Sequence, residues 1–270
     1  EALMAEVHAK LESQPWRFFR IGTWELGDSL ALESKTGQAA ELVNSFSSLR
    51  NVVLELKTKS DDVESLLTID HGGKTVVSWS LNTDFIIRTE EHKTASLDRR
   101  LSAMKKVADA GYLIGLHFDP MIWHDDWKAG YEDLVTKLFQ HVSIDQVAWV
   151  SIGSLRFNPE QKRKMENNFP GSSMLNIEMV AGDDNKVRYI KPLRLEMYQF
   201  LYSLLQVHGI DETVLYFCME RWDVWETVFG YSPSSIGELD FIFAQSMAKR
   251  FPHLQISVPK LAMYELFQES

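Results

Sequence analysis

The sequence is short of the residues that build several common kinds of site. A single cysteine, Cys218, stands among 270 residues, which excludes an internal disulfide and a metal site built from cysteines alone. Cysteine usage of this kind is typical of a reducing compartment, so we expect a cytoplasmic protein. No run approaches the roughly 20 consecutive apolar residues that cross a bilayer, and no signal-peptide pattern opens the chain, so no membrane partner is expected.

Positive charge is scarce as well. Lys and Arg number 28 against 38 Asp and Glu, which gives a formal net charge of −10. A broad nucleic-acid surface needs clustered positive charge to displace counterions, so the composition weighs against DNA as a partner but leaves room for a local basic patch. No glycine pair forms a phosphate-binding loop.

What the sequence does contain is an alternation of helices and strands. Hydrophobic residues make up 45% of the chain, enough for one large core, so we expect a single domain over residues 1–270. Up to residue 169, helices and strands follow in strict turn, which is typical of a parallel sheet covered by helices. The predicted strands cover 18–23, 51–57, 75–81, 112–118 and 147–157, and the predicted helices cover 2–13, 37–49, 61–67, 97–110, 127–141 and 161–168.

Residues 170–270 change this rhythm. They predict a β-hairpin from 175–180 and 186–190, a helix over 193–208, a last barrel strand over 213–219 and a helix over 235–251. We therefore treat residues 1–169 as barrel units and residues 170–270 as an extension that returns one strand to the barrel.

Polar side chains stand repeatedly at the carboxyl ends of the predicted strands. Any one of them alone is more often a helix cap or a solvated residue, but the carboxyl ends of barrel strands meet at one mouth. The mixture suits a small zwitterionic ligand, with Glu25 for an ammonium group and Lys59 for a carboxylate. The residues in question are Thr23, Glu25, Lys57, Thr58, Lys59, Ser80, Asn82, Asp84, His117 and Asp119.

Six segments follow one another along the chain: 20–30, 57–59, 79–82, 98–112, 118–131 and 153–157. Together they resemble radical S-adenosylmethionine (SAM) proteins related to spore photoproduct lyase. The resemblance runs in order over roughly residues 1–200, although no single segment is diagnostic. It implies an α/β fold, a partial (β/α)6 barrel of the TIM type, with a C-terminal extension that carries a β-hairpin.

The resemblance also implies cofactors and an activity. The family uses SAM, a 4Fe–4S cluster and an external electron donor, and it cleaves SAM to a 5′-deoxyadenosyl radical that abstracts hydrogen from an organic substrate. A damaged pyrimidine in DNA is the candidate substrate. By resemblance, Glu25 meets the SAM ammonium, Lys59 and Ser80 lie near SAM, and Thr23, Asn82 and Asp119 complete its pocket. His117 and Arg156 are weaker candidates for the substrate side, and no catalytic residue or metal ligand is assigned.

Two features depart from the family pattern. A 4Fe–4S cluster that chelates SAM needs three thiolates, supplied in the family by C-x3-C-x2-C after the first strand, and this sequence lacks that motif. We interpret the first strand and its cysteine segment as missing, which predicts that this chain alone is inactive. In addition, Gly22 stands where spore photoproduct lyases carry the cysteine that returns a hydrogen atom, which leaves the hydrogen donor open.

Other functions are also compatible with the sequence. The domain could bind SAM, a nucleotide or a partner protein without a cluster. A metal hydrolase is a weaker alternative, with ligands drawn from His117, Asp119, His124, Asp125, Asp126 and Glu220. The basic helix residues Arg99, Arg100, Lys105 and Lys106 are expected to be solvated, and the acidic hairpin tip, Asp183 and Asp184, is expected to repel phosphate.

Overall fold

The computed structural model describes residues 2–23, 27–175 and 177–266, and contains both strands and helices throughout this range. The strands in the described part of the chain are β1 (Phe19–Thr23), β2 (Val52–Thr58), β3 (Thr75–Ser80), β4 (Leu113–Met121), β5 (Val147–Ser154), β6 (Arg156–Phe157), β7 (Met179–Ala181), β8 (Val187–Tyr189) and β9 (Leu215–Phe217). The α-helices are α1 (Ala2–Ser13), α2 (Glu33–Thr36), α3 (Gln38–Phe46), α4 (Asp84–Glu90), α5 (Leu97–Asp109), α6 (Trp127–His141), α7 (Pro159–Asn168), α8 (Lys191–Val207), α9 (Trp222–Phe229), α10 (Ile236–Arg250) and α11 (Leu261–Leu266).

Six strands form one parallel sheet in the order β1-β2-β3-β4-β5-β9. Each neighbouring pair is parallel, from Phe19 opposite Val52 at one edge to Ile152 opposite Phe217 at the other. The sheet curls into a half-barrel, and the predicted partial barrel is confirmed. Because all six strands run the same way, their carboxyl ends share one mouth.

Helix α5 shows how local sequence builds the outer layer. The Ser96 side chain accepts a hydrogen bond from the backbone N–H of Arg99 and caps the helix. Leu97, Leu101 and Met104 are buried on its inner face. After the helix, Gly111 adopts φ +91, a left-handed conformation that glycine reaches without strain.

Apolar side chains close the amino end of the concave face. The first residues of several strands pack there against α10, so the carboxyl end is left for polar groups. The buried members of this cluster include Phe18, Val53, Val76, Leu113, Trp149, Ala244 and Met247.

The structure corrects some predicted elements. The strand predicted over 147–157 is divided, because β6 leaves the main sheet and pairs antiparallel with β8, placing Arg156 opposite Arg188. The predicted helix over 61–67 is a short 3-10 turn, Glu64–Leu66. Helices α4, α9 and α11 were not predicted, since each is too short to show a full apolar stripe. Within the described residues, no helix has both the length and the apolar character needed to span a bilayer.

Candidate active site at the barrel mouth

A buried glutamate, Glu55 on β2, contacts side chains from four other strands across the concave face. Its Oε1 accepts hydrogen bonds from Ser78 Oγ at 2.7 Å, His117 Nε2 at 2.8 Å and Trp149 Nε1 at 3.1 Å. The Arg20 guanidinium lies 3.9 Å from Oε2. Since these residues come from β1 to β5, their meeting shows that all five side chains point into the barrel lumen.

The charges in this lumen cluster are fixed by their surroundings. Burial alone would raise the pKa of Glu55, but His117, Arg20 and the Ser78 hydroxyl outweigh it and lower that pKa to about 2. Burial lowers the pKa of His117, with help from the charges of Lys57 and Arg20, against the opposing hydrogen bond to Glu55. Glu55 is therefore ionised and His117 neutral near pH 7.

A glycine makes room for the cluster. A Cβ on Gly115 would lie 2.8 Å from Trp149 Nε1 and 2.9 Å from Ser78 Cβ. These separations are closer than real Cβ contacts, so a side chain at position 115 is incompatible with the bonds to Glu55.

A second polar cluster lies at the ends of β4, β5 and β9. Arg156 Nη1 is 3.4 Å from Asp119 Oδ1, and its Nη2 is 3.0 Å from Cys218 Sγ. Gly153 permits this approach, because a Cβ there would lie 2.6 Å from Asp119 Oδ1. Burial and the neighbouring Asp119 raise the pKa of the Cys218 thiol to about 11, although Arg156 acts in the opposite direction. Cys218 therefore stays protonated at neutral pH.

The remaining predicted site residues differ in their surroundings. Ser80 ends β3 inside the lumen, directly opposite His117 in the register of β3 and β4. Asn82 is buried, and its amide is engaged by Pro120 O and Tyr131 Oη, each at 2.8 Å. Thr23 Oγ1 lies 2.6 Å from Ser29 Oγ. The predicted SAM residue Glu25 lies outside the described residues.

Lys59 sits in a charged cluster beside the mouth. Its Nζ is 2.7 Å from Glu91 Oε1, and Glu91 Oε2 is 2.5 Å from Arg100 Nη2. The Arg100 side chain is 0% exposed and also donates to Ser80 O at 2.8 Å. The expectation that Arg100 is a solvated helix residue is therefore wrong, whereas Arg99 remains 68% exposed.

The residues of the hydrolase alternative are held apart by other contacts. His117 is bonded to Glu55, His124 Nε2 lies 2.9 Å from Thr83 Oγ1, and Glu220 pairs with Arg194 at 2.9 Å. Across residues 2–23, 27–175 and 177–266, no three His, Cys, Asp or Glu side chains come together as a metal site requires. This arrangement does not favour a metal hydrolase.

Sequence reasoning missed most of the lumen cluster. Glu55 lies in the middle of the apolar run Val52–Thr58, and a glutamate buried in a central strand was a signal that it needed partners. Those partners could not be read from the sequence, since Ser78, His117 and Trp149 are 23, 62 and 94 positions away. Cys218 was considered only as a cluster ligand.

The half-barrel with a polar mouth is the class of fold predicted from the resemblance to radical SAM proteins. Within that class the chain belongs to the spore photoproduct lyase family, whose model matches residues 4–222. The predicted resemblance is thereby confirmed.

Individual relatives agree with this assignment. The chain is 27% identical over 216 residues to the spore photoproduct lyase of Bacillus subtilis (strain 168), covering 79% of this chain and 61% of that protein. It is 32% identical over 164 residues to the enzyme of Geobacillus sp. (strain Y412MC61), covering 60% and 46%. The chain thus spans less than two thirds of the length of these relatives.

Solved structures of the family share the fold. A spore photoproduct lyase mutant with bound AdoMet and dinucleoside spore photoproduct superposes with a TM-score of 0.69 at 22% identity, covering 79% of this chain and 64% of that one. A second lyase structure, complexed with dinucleoside spore photoproduct, gives a TM-score of 0.70 with 80% and 66% covered.

Proposed function

We propose that this chain carries the barrel of a radical SAM enzyme that acts on a damaged pyrimidine in DNA. The observation that carries the proposal is the match to the spore photoproduct lyase family over residues 4–222. A related solved structure contains AdoMet and dinucleoside spore photoproduct, which supports the same two ligands here. We further propose a cytoplasmic location and an external electron donor.

The residues of this chain fit one implied cofactor and not the other. A SAM-chelating 4Fe–4S cluster needs three thiolates, and the sequence contains one cysteine. This chain therefore does not supply the ligands that the cluster needs. SAM is a zwitterion, and the mouth offers the Ser80 hydroxyl, the Lys59 ammonium group and the Asp119 carboxylate, which are complementary to it.

SAM, when bound, would supply the hydrogen-abstracting chemistry, and the residues of this chain would orient the reactants and exclude water. We propose that Ser80, Lys59, Thr23, Asn82 and Glu25 surround SAM. Asn82 would act by holding the backbone at Pro120, since its amide already bonds Pro120 O and Tyr131 Oη.

The substrate side would then be the opposite part of the mouth. There Arg156 lies 3.4 Å from Asp119, a proposed neighbour of SAM, and 3.0 Å from Cys218. His117 lies deeper in the lumen, beside Ser80. A substrate between these groups would be shielded by the strands on one side and by SAM on the other.

The acidic residues at the hairpin tip do not argue against DNA as a partner. Asp183 and Asp184, which alone would repel phosphate, form ion pairs with Arg221 and Arg188 respectively. The hairpin tip is therefore locally balanced, and its contact with a phosphate backbone would not meet an unpaired acidic surface.

Two measurements test the proposal. Equilibrium dialysis with labelled SAM should show binding to this chain, weakened by Ser80→Ala but not by Ser203→Ala, whose hydroxyl only bonds Gln199 O on the exposed face of α8. The product of the complete gene, reconstituted anaerobically with iron and sulfide, should release 5′-deoxyadenosine from SAM and dithionite, faster with dinucleoside spore photoproduct present. SAM binding without deoxyadenosine would instead support a cluster-less binding domain, and absence of both would refute the proposal.

A further inference from the structure

One ring nitrogen of His117 has no hydrogen-bond partner among the described residues. The residue is 5% exposed, and its Nε2 is bonded to Glu55 at 2.8 Å. Its Nδ1 is buried and makes no hydrogen bond to any described residue. Buried polar atoms are nearly always paired, and an exception inside a candidate active site indicates a position for a ligand atom.

The chemistry of Glu55 determines which nitrogen of His117 carries the proton. An ionised carboxylate only accepts hydrogen bonds, and Glu55 Oε1 already receives Ser78 Oγ and Trp149 Nε1. The His117 nitrogen at that oxygen must therefore be Nε2–H. In a neutral imidazole the other nitrogen then carries a lone pair, so Nδ1 is a hydrogen-bond acceptor.

A donor lies on the same face of the sheet. Lys57 follows Glu55 by two positions on β2, so alternation puts both side chains in the lumen. Lys57 is half-buried, and its side-chain ammonium forms no hydrogen bond or ion pair with the residues that the structure describes. Its charge acts on His117 through space.

The acceptor His117 Nδ1 and the cationic donor Lys57 together favour a ligand edge that carries both a hydrogen-bond donor and an acceptor. A phosphate or a carboxylate presents acceptors alone and would leave the lone pair of His117 Nδ1 facing another lone pair. The imide edge of a pyrimidine presents an N–H donor next to carbonyl oxygens, so it can satisfy His117 and Lys57 together.

We propose that Glu55 is a positioning residue that holds His117 as the Nε2–H tautomer, and that His117 Nδ1 and Lys57 recognise the imide edge of a pyrimidine. The choice of a pyrimidine rests on the proposed function, whereas the role of Glu55 rests on the lumen geometry alone. His117 accepts the N3–H of the base, and Lys57 donates to the adjacent carbonyl oxygen.

The tautomer is tested by nitrogen NMR on the chain labelled with ¹⁵N-histidine, with His117→Asn used to assign the signal. At pH 7 we expect a protonated Nε2 and an unprotonated Nδ1 in the wild type, and a mixture of tautomers in Glu55→Gln. Glu226→Gln, on the exposed face of α9, should leave the signal unchanged. A protonated Nδ1 in the wild type would overturn the proposal, and this measurement requires no variant of Glu55 to fold.

The ligand is tested with thymidylyl-thymidine and its N3-methylated analogue, which cannot donate. Methylation should weaken binding to the wild type by about tenfold, as expected for one buried hydrogen bond, and should have no effect on His117→Ala. Equal affinity of the wild type for both dinucleotides would overturn this inference alone. Failure of the wild type to bind either one would overturn the pyrimidine substrate of the proposed function, and with it the ligand named here.

Discussion

The substitution Gly115→Ala tests whether the lumen cluster is as tightly built as its geometry indicates. Gly115 lies between Ser78 on β3 and Trp149 on β5 in the strand register. An added Cβ would overlap Ser78 Oγ and approach Trp149 Nε1 to 2.8 Å. Both neighbours donate to Glu55, so neither can move away without breaking a hydrogen bond to a buried carboxylate.

The expected cost has two parts. Overpacking of a well-packed interior destabilises by about 1–3 kcal/mol. Loss of one hydrogen bond to a charged group costs about 1.5–3 kcal/mol. We therefore expect Gly115→Ala to lower the free energy of unfolding by about 2.5–6 kcal/mol, an unusually large effect for the addition of one methyl group.

Denaturant unfolding monitored by tryptophan fluorescence and near-ultraviolet circular dichroism measures this cost. Two control variants separate it from a general intolerance of alanine. Gly22→Ala adds a Cβ in the same lumen at an ordinary 3.8 Å contact, and Gly171→Ala adds one with nothing within 4 Å. Both should change stability by less than about 0.5 kcal/mol. If Gly115→Ala changes the free energy of unfolding no more than these controls do and leaves the near-ultraviolet circular dichroism spectrum unchanged, the lumen contacts described above are wrong.

Three further predictions concern charge and protonation. Arg100→Met should destabilise the protein by about 3–5 kcal/mol, because it leaves the Glu91 carboxylate buried without its fully buried partner. The control Arg99→Met changes a side chain that is 68% exposed, so it should cost less than about 1 kcal/mol in the same denaturant assay. Alkylation of Cys218 by iodoacetamide should be slow at pH 7 and still accelerate above pH 9, since the thiol pKa is raised to about 11; a rate that levels off by pH 9 would contradict this. The pKa of Glu55 is lowered from 4.5 to about 2 in the folded state, so its stabilisation of up to about 3 kcal/mol is present above pH 4.5 and is lost as the pH falls towards 2. The difference in unfolding free energy between wild type and Glu55→Gln should therefore shrink over that range, and a constant difference would argue against an ionised Glu55.

Much of the fold could be predicted from local patterns. The apolar stripe between Ser96 and Gly111 predicted α5 because a cap, a stripe of period 3.6 and a terminal glycine agree with one another. The run from Val52 predicted β2 because branched residues favour strands. The divided strand at Arg156 could not be predicted, since only its pairing with β8 removes β6 from the main sheet.

The sequence by itself determined the alternation of elements, the parallel half-barrel and the family, because these depend on periodicity and on motifs read within short windows. It also brought His117 and Asp119 to attention as polar residues at strand ends. Only the tertiary structure decided that Glu55 joins His117, that Arg100 is buried and that Cys218 lies against Arg156. The physical reason is that desolvation and hydrogen bonding depend on neighbours far away in the chain, and these fix the charge and tautomer of a side chain.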